Sequence, residues 1–420
     1  MDKFNFQQNI YLGTDYAGRP FALQNEARRR HLYIIGQTGT GKSTLLLNMI
    51  MQDMASGRGC ALLDPHGDLA EAALGFLPTK RGDHLVYLNP ADLSRPIGFN
   101  LLGQVPEDLR PLVADGVVSA FRHVWPEFWG PRLEHIFAHS VRTLMDVPNA
   151  TLLHLPRLLQ DEVYRQSVLP HIKDPVNAAF WNYEFNSYPA RFREEAIAPV
   201  LNKIGRVLMT PAIRNIIAQP KSTIDLRFMM DEGRVLIANL SKGKLGEGPA
   251  HLLGALLVTA LAQAALSRSD TTERPDFHLY ADEFQSFATS GFSLILSEAR
   301  KYGLTLTLAH QYIEQLPEGL REAVFGNAGS MIAFRVGGRD AAAVARQLDL
   351  PKPEMLRDLK NYAAWANVLK DGQPSEPFRL DPYPPAEPFH MRGDKLTRNS
   401  AIRFGRSRRT VERHISLFFN

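Results

Sequence analysis

Residues Gly36 to Ser43 match the phosphate-binding loop pattern G-x-x-x-x-G-K-[ST] at every fixed position. The loop follows an apolar run at His31–Ile35 that predicts a β-strand, and it opens a run at Ser43–Asp53 that predicts a helix. This feature constrains the fold most, because it predicts an α/β unit in which backbone N–H groups and a helix N-terminus surround a polyphosphate. A glycine-rich turn that happens to carry a lysine is the alternative interpretation.

The residues of this loop have separate expected roles. Lys42 is expected to neutralise the β- and γ-phosphates of a nucleoside triphosphate, and the Ser43 hydroxyl to complete the shell of a Mg²⁺ ion. The nucleotide-binding residues predicted from the loop and the first helical turn are Gly36, Thr38, Gly39, Thr40, Gly41, Lys42, Ser43 and Thr44. The loop therefore predicts a nucleoside triphosphate with Mg²⁺ as its ligand.

A second acidic site is expected at the end of a neighbouring strand. The apolar run Phe277–Ala281 predicts that strand, and Asp282 and Glu283 follow it directly. We expect Asp282 to hold Mg²⁺ opposite Ser43, directly or through water, and Glu283 to act as general base toward the attacking water. An isolated apolar-Asp-Glu string is common, but its combination with a phosphate-binding loop predicts a hydrolase.

Three further polar residues are candidates for the same site. Gln311 follows a strand-like run at Leu304–Ala309 and is expected to sense the γ-phosphate or position water, with a plain surface glutamine as the alternative. Arg300 is a candidate for an arginine that reaches a neighbouring subunit's nucleotide, and Arg335 is a second candidate. An ion pair on a solvated face is the alternative for both arginines. Asp64 is expected to serve a structural turn, with a contact to the metal shell as the alternative.

Apolar strand-like runs alternate with helical runs on both sides of a long helical block, which predicts a mainly parallel sheet covered by helices. The block lacks strand patterns and is interrupted by prolines, so it is interpreted as an all-helical insertion. The predicted organisation is an N-terminal β-rich extension at 1–30, an ATPase-type α/β domain at 31–104 and 221–370, the insertion at 105–220, a proline-rich linker at 371–389 and a basic tail at 390–420.

The charge distribution, the cysteine content and the apolar runs indicate the compartment in which the protein is expected. The formal net charge of the 420 residues is only +4, whereas residues 390–420 carry eight Lys or Arg against two acidic residues. Cys60 is the single cysteine, which excludes an internal disulfide. The N-terminus lacks a signal-peptide pattern, and the apolar run Leu252–Leu266 is too short to cross a bilayer. A cytoplasmic protein is therefore expected.

Taken together, the motifs resemble those of the HerA–FtsK superfamily of P-loop ATPases, and most of all TraG/TraD-type conjugative coupling proteins and soluble HerA-like DNA translocases. The resemblance covers roughly residues 10–375. It rests on Ile34–Ser43, Asp64–Asp68, Tyr280–Phe284, Arg300–Gly303 and Ala309–Gln311, in this order along the chain.

The resemblance implies a RecA-like motor with an inserted all-α domain that uses ATP and Mg²⁺. It also implies a hexameric ring around single- or double-stranded DNA, with an arginine donated in trans at the subunit interface. Membrane-bound coupling proteins begin with transmembrane helices, which the sequence lacks. The expected partners are therefore DNA without sequence preference, other copies of the chain and a membrane-anchored secretion or relaxosome component, with the protein peripheral at the inner membrane.

The expected function is an ATP-driven DNA translocase that serves conjugation or type IV secretion. An ATPase that powers protein export or the assembly of a secretion machine, without DNA, is the alternative from another class. A HerA-like motor for DNA processing or defence is a further alternative. The basic tail is expected either to add DNA affinity or to be solvated and partly disordered.

Overall fold

The computed structural model describes residues 5–103, 105–370 and 372–419. The first four residues of the predicted N-terminal extension, the first residue of the predicted linker and the last residue of the basic tail lie outside these ranges. In chain order, the strands are Asn9–Thr14 (β1), Pro20–Gln24 (β2), Leu32–Ile35 (β3), Gly59–Asp64 (β4), Leu85–Leu88 (β5), Val235–Asn239 (β6), Phe277–Ala281 (β7), Leu304–His310 (β8), Ser330–Ala333 (β9), Ala364–Asn367 (β10), Leu369–Lys370 (β11), Gln373–Pro374 (β12) and Phe378–Pro382 (β13).

The α-helices are joined by short 3-10 turns and one π-helical segment at Phe180–Phe185. In chain order, they are Asn25–Arg28 (α1), Lys42–Ala55 (α2), Asp68–Leu74 (α3), Arg110–Val124 (α4), Pro131–Asp146 (α5), Leu155–Gln160 (α6), Glu162–Val168 (α7), Pro175–Ala179 (α8), Ala190–Met209 (α9), Pro211–Ile217 (α10), Leu226–Asp231 (α11), Lys242–Leu245 (α12), Glu247–Leu266 (α13), Ser290–Glu298 (α14), Glu318–Asn327 (α15), Gly338–Gln347 (α16), Glu354–Arg357 (α17), Gly393–Phe404 (α18) and Arg408–Phe419 (α19).

Eleven strands form one sheet in the order β2-β1-β13-β10-β9-β3-β8-β7-β4-β6-β5. The seven strands from β9 to β5 are parallel to one another, and the four from β2 to β10 extend the sheet in antiparallel fashion. The parallel strands are buried along their whole length, as expected for a sheet with helices on both faces. The predicted α/β class with a mainly parallel sheet is confirmed.

Two apolar clusters cover the two faces of the sheet. One contains α2 and α3, and the other contains α13 together with the helices that lie between β5 and β6. Helix α13 packs against α4 and is the one helix within the described ranges that is long and apolar enough to cross a membrane. Because 78% of its apolar window is buried inside the protein, α13 is accounted for as a core helix.

A buried polar cluster fixes the N-terminal segment to α2. The Arg28 guanidinium donates to both carboxylate oxygens of Asp53, at 2.8 and 2.7 Å, and to the Tyr280 hydroxyl at 2.7 Å. Arg58 Nε donates to Asp53 Oδ1 at 2.7 Å. Burial opposes the negative charge of Asp53, but Arg28 and Arg58 outweigh it and hold the pKa of this carboxyl well below its usual range. The cluster therefore joins α1, α2 and β7 through a paired buried charge.

Two expectations for the C-terminal part are wrong. Residues 371–389 are not a linker, because β13 lies inside the main sheet between β1 and β10. Residues 390–420 are not a solvated tail, because α18 and α19 pack on the body through apolar residues such as Leu396, Val411 and Ile415. Pro377 precedes β13 and Pro382 is its last residue, so no proline interrupts the strand. Most basic residues of the tail lie on α18 and α19, which also have buried apolar residues.

Candidate nucleotide-binding site

The predicted loop lies at the carboxyl edge of the parallel strands, between β3 and α2. Gly41 is the N-cap of α2 and has a φ of 120°, a conformation that L-residues with a side chain rarely adopt. The loop carbonyls of Gly36 and Gln37 accept hydrogen bonds from Lys42 Nζ at 2.5 and 3.1 Å. Burial lowers the pKa of the Lys42 ammonium, while Glu283 and Asp282 act in the opposite direction. The loop therefore holds a buried cation against its own carbonyl groups.

Asp282 lies opposite Ser43, as the sequence predicts. It directly follows β7, and its Oδ2 atom is 3.5 Å from the Ser43 hydroxyl oxygen. Burial raises the pKa of Asp282 to about 6, and the like charges of Glu283 and Asp64 act in the same direction. The ionised form of this buried carboxylate is therefore unfavourable. A divalent cation would offset that cost, since it favours the ionised carboxylate. A hydroxyl and a carboxylate oxygen at this separation fit one edge of a hard-cation shell.

This donor set fits Mg²⁺ better than a metal held by protein alone. Within the described ranges, no group of three or more His, Cys, Asp or Glu side chains is placed to hold a metal ion. Mg²⁺ typically takes one or two protein oxygens and completes its octahedron with water and substrate phosphates. Ser43 and Asp282 therefore suit a cation that arrives with a polyphosphate.

Glu283 has a left-handed backbone, with φ and ψ of 44° and 51°. Such a conformation is uncommon outside glycine and is found at functional sites, where the surrounding structure maintains it. Both carboxylate oxygens of Glu283 accept hydrogen bonds from amides: Oε1 from Gln311 Nε2, and Oε2 from Gln285 Nε2 at 2.7 Å. The carboxylate is thus held in a fixed orientation at the carboxyl edge.

Gln311 connects Glu283 to the phosphate-binding loop. Its Oε1 atom accepts a hydrogen bond from the Thr38 hydroxyl at 2.8 Å, while its amide nitrogen donates to Glu283. Strand β8 lies between β3 and β7 in the sheet, so the residue after β8 lies between the loop and the acidic pair. This position suits a residue that detects the outermost phosphate.

Gln285 is a site residue that the sequence reasoning missed. Its Nε2 atom donates to Glu283 Oε2 and also to Gln315 Oε1 at 3.1 Å, whereas its own Oε1 atom is buried without a hydrogen-bond partner. An amide two residues after the acidic pair was the only available signal in the sequence. That signal is weak, because the left-handed turn at Glu283 determines where the side chain of residue 285 points.

The two candidate arginines lie in different places. Arg335 Nε donates to Gln37 Oε1 at 3.3 Å, and the Gln37 N–H donates to the Arg335 carbonyl at 2.8 Å, so Arg335 borders the loop of its own chain. Arg300 is exposed and precedes β8, at the amino edge of the sheet. The seven residues of β8 separate the two edges by roughly 20 Å. The structure therefore brings Arg335, but not Arg300, to the site within one chain.

Asp64 has a structural role that agrees with the sequence expectation. Its carboxylate accepts hydrogen bonds from the backbone N–H groups of His66 at 2.9 Å and Ala70 at 2.8 Å. These bonds fix the turn between β4 and α3. The carboxylate nevertheless acts on the site through its charge, because it contributes to the raised pKa of Asp282.

Comparisons with known proteins agree with this geometry. The sequence model of the family described as "Helicase HerA, central domain" matches residues 13–116. The structure is similar to the bacterial conjugative coupling protein TrwBdeltaN70 in an unbound form, with a TM-score of 0.65 and 16% identity over 90% of each chain. No curated protein sequence matches the chain significantly.

Two further solved structures are similar over most of the chain. The plasmid coupling protein TrwB in complex with the non-hydrolysable ATP analogue ADPNP gives a TM-score of 0.64 at 18% identity, over 89% of each chain. VirB4 of Thermoanaerobacter pseudethanolicus gives a TM-score of 0.58 at 14% identity, over 92% of this chain and 98% of VirB4. Fold and site together define a RecA-like P-loop NTPase. Within that class, the chain is similar to HerA–FtsK ATPases and resembles the conjugative coupling proteins, as the motifs predict.

Proposed function

We propose that this protein binds ATP with Mg²⁺ and hydrolyses it. The observation that carries the proposal is the convergence of Lys42, Ser43, Asp282, Glu283 and Gln311 at one edge of the sheet. TrwB, which has the same fold, has been solved with ADPNP and with ADP and Mg²⁺. The buried ammonium of Lys42 supplies charge for the β- and γ-phosphates, and Ser43 with Asp282 would hold Mg²⁺, which neutralises charge on the phosphate oxygens.

Glu283 is proposed as the general base. Its carboxylate accepts a proton from water as the water oxygen attacks the γ-phosphorus, and the bond to the β–γ bridging oxygen breaks to release ADP. Gln311 lies between Thr38 and Glu283 and orients this water. Arg335 lies beside the loop in the same chain. The exposed Arg300, at the opposite edge of the sheet, is the candidate for reaching a neighbouring subunit's nucleotide.

The proposed use of this hydrolysis is the translocation of DNA by a hexameric ring of identical chains. The similarity to conjugative coupling proteins in fold and to the HerA central domain in sequence supports this proposal. In such a ring, Lys and Arg side chains would grip phosphates without sequence preference. A separate membrane-anchored secretion or relaxosome partner would then hold the ring at the cytoplasmic face of the inner membrane.

An ATPase that powers protein export or secretion-machine assembly without DNA is the second candidate. The structural similarity to VirB4, which extends over 98% of that chain, favours it specifically. A HerA-like motor for DNA processing or defence is the remaining alternative, supported by the match to the HerA central domain. The residues of the nucleotide site are the same in all three cases, so the discriminating observation must come from DNA.

ATP turnover at low salt, with and without DNA, tests these functions. We expect the rate of ATP turnover to rise when single- or double-stranded DNA is added. The fraction of hexamers, measured by native mass spectrometry with ADPNP, should rise with the same DNA. Unchanged turnover with both DNA forms would favour the secretion ATPase.

A substitution at Glu283 tests the general base. Glu283→Gln should bind ATP normally and lose at least 100-fold in turnover. Glu314→Gln, at an exposed acid that pairs with Arg339, is the control and should not change the turnover. Full activity of Glu283→Gln would show that Glu283 is not the general base.

A further inference from the structure

Tyr362 is a large aromatic residue beside the phosphate-binding loop that the hydrolytic mechanism does not use. It is 60% exposed, and its φ of 63° places a bulky residue in the left-handed region. Its backbone N–H donates to the Thr40 carbonyl at 2.9 Å. A non-glycine residue keeps such a conformation only where the surrounding structure fixes it, and positions of this kind cluster at ligand clamps.

The sheet topology explains how a distant residue reaches the loop. Strand β10 runs antiparallel to β9, and Trp365 pairs with Ala333 at the carboxyl end of β9. The residues that precede β10 therefore lie at the same edge as the loop. A Cβ atom on Gly41 would lie 3.2 Å from Tyr362 Cδ1 and 3.0 Å from Phe334 Cε1. Gly41 is thus packed between a buried ring and an exposed one.

The location of the exposed ring relative to the phosphates is informative. Helix α2 starts at Lys42, so the loop N–H groups and the first helical turn bind the phosphates, and the sugar and base of a nucleotide must leave the loop over its rim. The exposed ring of Tyr362 lies next to Gly41, beside the start of this helix. Aromatic faces bind nucleobases by stacking, with a strength that depends little on the hydrogen-bonding groups of the base.

We propose that Tyr362 stacks on the base of the bound nucleotide and makes this site selective for purine nucleoside triphosphates as a class. This inference rests on the proposed nucleotide-binding function and adds the recognition of the base to it. Stacking alone treats adenine and guanine similarly, because both present the same bicyclic surface. Pyrimidines, with a single ring, cover less of the tyrosine and bind more weakly.

Tyr362→Gly is the most informative variant. Glycine adopts the left-handed conformation freely and keeps the N–H that donates to Thr40, so this substitution removes the ring and retains the backbone. Tyr362→Phe keeps the ring and removes only the hydroxyl. Tyr16→Gly, at a 79% exposed tyrosine in the turn between β1 and β2, is the matched control.

Calorimetric titration of the full chain with Mg²⁺ and ATP, GTP, CTP or inorganic tripolyphosphate tests the inference. Tyr362→Gly should weaken ATP and GTP binding roughly 5- to 150-fold, the range that base–aromatic stacking contributes. The same variant should leave the affinity for tripolyphosphate, which has no base, unchanged. Tyr362→Phe and Tyr16→Gly should bind ATP like the wild type.

Three other outcomes are distinguishable. An equal loss of ATP and tripolyphosphate affinity in Tyr362→Gly would show that the ring only supports the loop, and unchanged ATP affinity would show that it does not touch the base; either overturns the inference. Wild-type protein that binds ATP with the expected selectivity but does not hydrolyse it would overturn the ATPase proposal alone. Wild-type protein that binds neither ATP nor tripolyphosphate would overturn both.

Discussion

The carboxylate of Asp282 should destabilise the metal-free protein at neutral pH. Its pKa is raised from 3.8 to about 6 by burial and by the neighbouring carboxylates of Glu283 and Asp64. One pKa unit corresponds to 1.36 kcal/mol of difference between the two protonation states. The shift of about two units therefore predicts that Asp282→Asn raises the free energy of unfolding by about 3 kcal/mol at pH 7.5.

The sign of this effect determines its pH dependence. Well below pH 3.8, Asp282 is protonated in both the folded and the unfolded chain, so the carboxyl does not change the free energy of unfolding. Between pH 4 and 6 the unfolded chain releases the proton and the folded chain retains it, so wild-type stability falls as the pH rises. The difference between Asp282→Asn and wild type should thus open across this window and stay constant above it.

Guanidinium chloride unfolding in EDTA, followed by circular dichroism from pH 4.5 to 7.5, measures this difference. Asp115→Asn is the control. Because the Asp115 side chain is 66% exposed, this substitution should not produce a pH-dependent difference in the free energy of unfolding. Mg²⁺ should then stabilise the wild type more than Asp282→Asn, because the cation needs the ionised carboxylate. A variant no more stable than wild type at pH 7.5, or a difference independent of pH, would show that the Asp282 carboxylate does not destabilise the fold.

Three further predictions concern single residues. Asp53→Ala should lower the free energy of unfolding by about 3–5 kcal/mol, because it leaves Arg28 buried without its carboxylate; a loss below about 1 kcal/mol in a denaturant titration would contradict this. Lys42→Ala should weaken calorimetric ATP affinity roughly 10- to 100-fold through loss of charge-assisted contacts to phosphate, and unchanged affinity would exclude that contact. Gln285→Ala should lower kcat roughly 10- to 100-fold at constant KM, because Glu283 loses one of its two orienting amides; an unchanged kcat in steady-state assays would count against a positioning role.

The parallel half of the sheet could be predicted because its strands are buried on both faces and appear as continuous apolar runs. The predicted run Phe277–Ala281 coincides with β7, and the predicted run Leu304–Ala309 lies within β8. In the antiparallel half, the hairpin of β1 and β2 falls within the predicted β-rich N-terminal extension, whereas β10 and β13 were missed. Strand β10 is only four residues long, and β13 lies among prolines that are typical of a linker, although Phe378 and Leu380 already alternate with polar neighbours.

The candidate site could be predicted only as far as its motifs extend. The loop and the acidic pair have fixed local patterns, so Lys42, Ser43 and Asp282 were named from the sequence. The neighbours of Glu283 depend on strand order and on one left-handed turn, neither of which has a pattern in the sequence. Tyr362 reaches the loop through the antiparallel pairing of β10, which is likewise a property of the tertiary structure.

The placement of β13 has a consequence for biosynthesis. Among the described strands, β1 pairs only with β2 and with β13, so the N-terminal hairpin joins the main sheet through a strand that lies far from it in the sequence. A ribosome releases residues in order, and this sheet cannot close until Phe378–Pro382 has emerged. The hairpin must therefore wait, with an unpaired strand edge, until all residues between β2 and β13 have been translated. Premature termination before β13 would leave that edge open to pairing with other chains, so synthesis of β13 protects the N-terminal hairpin from aggregation.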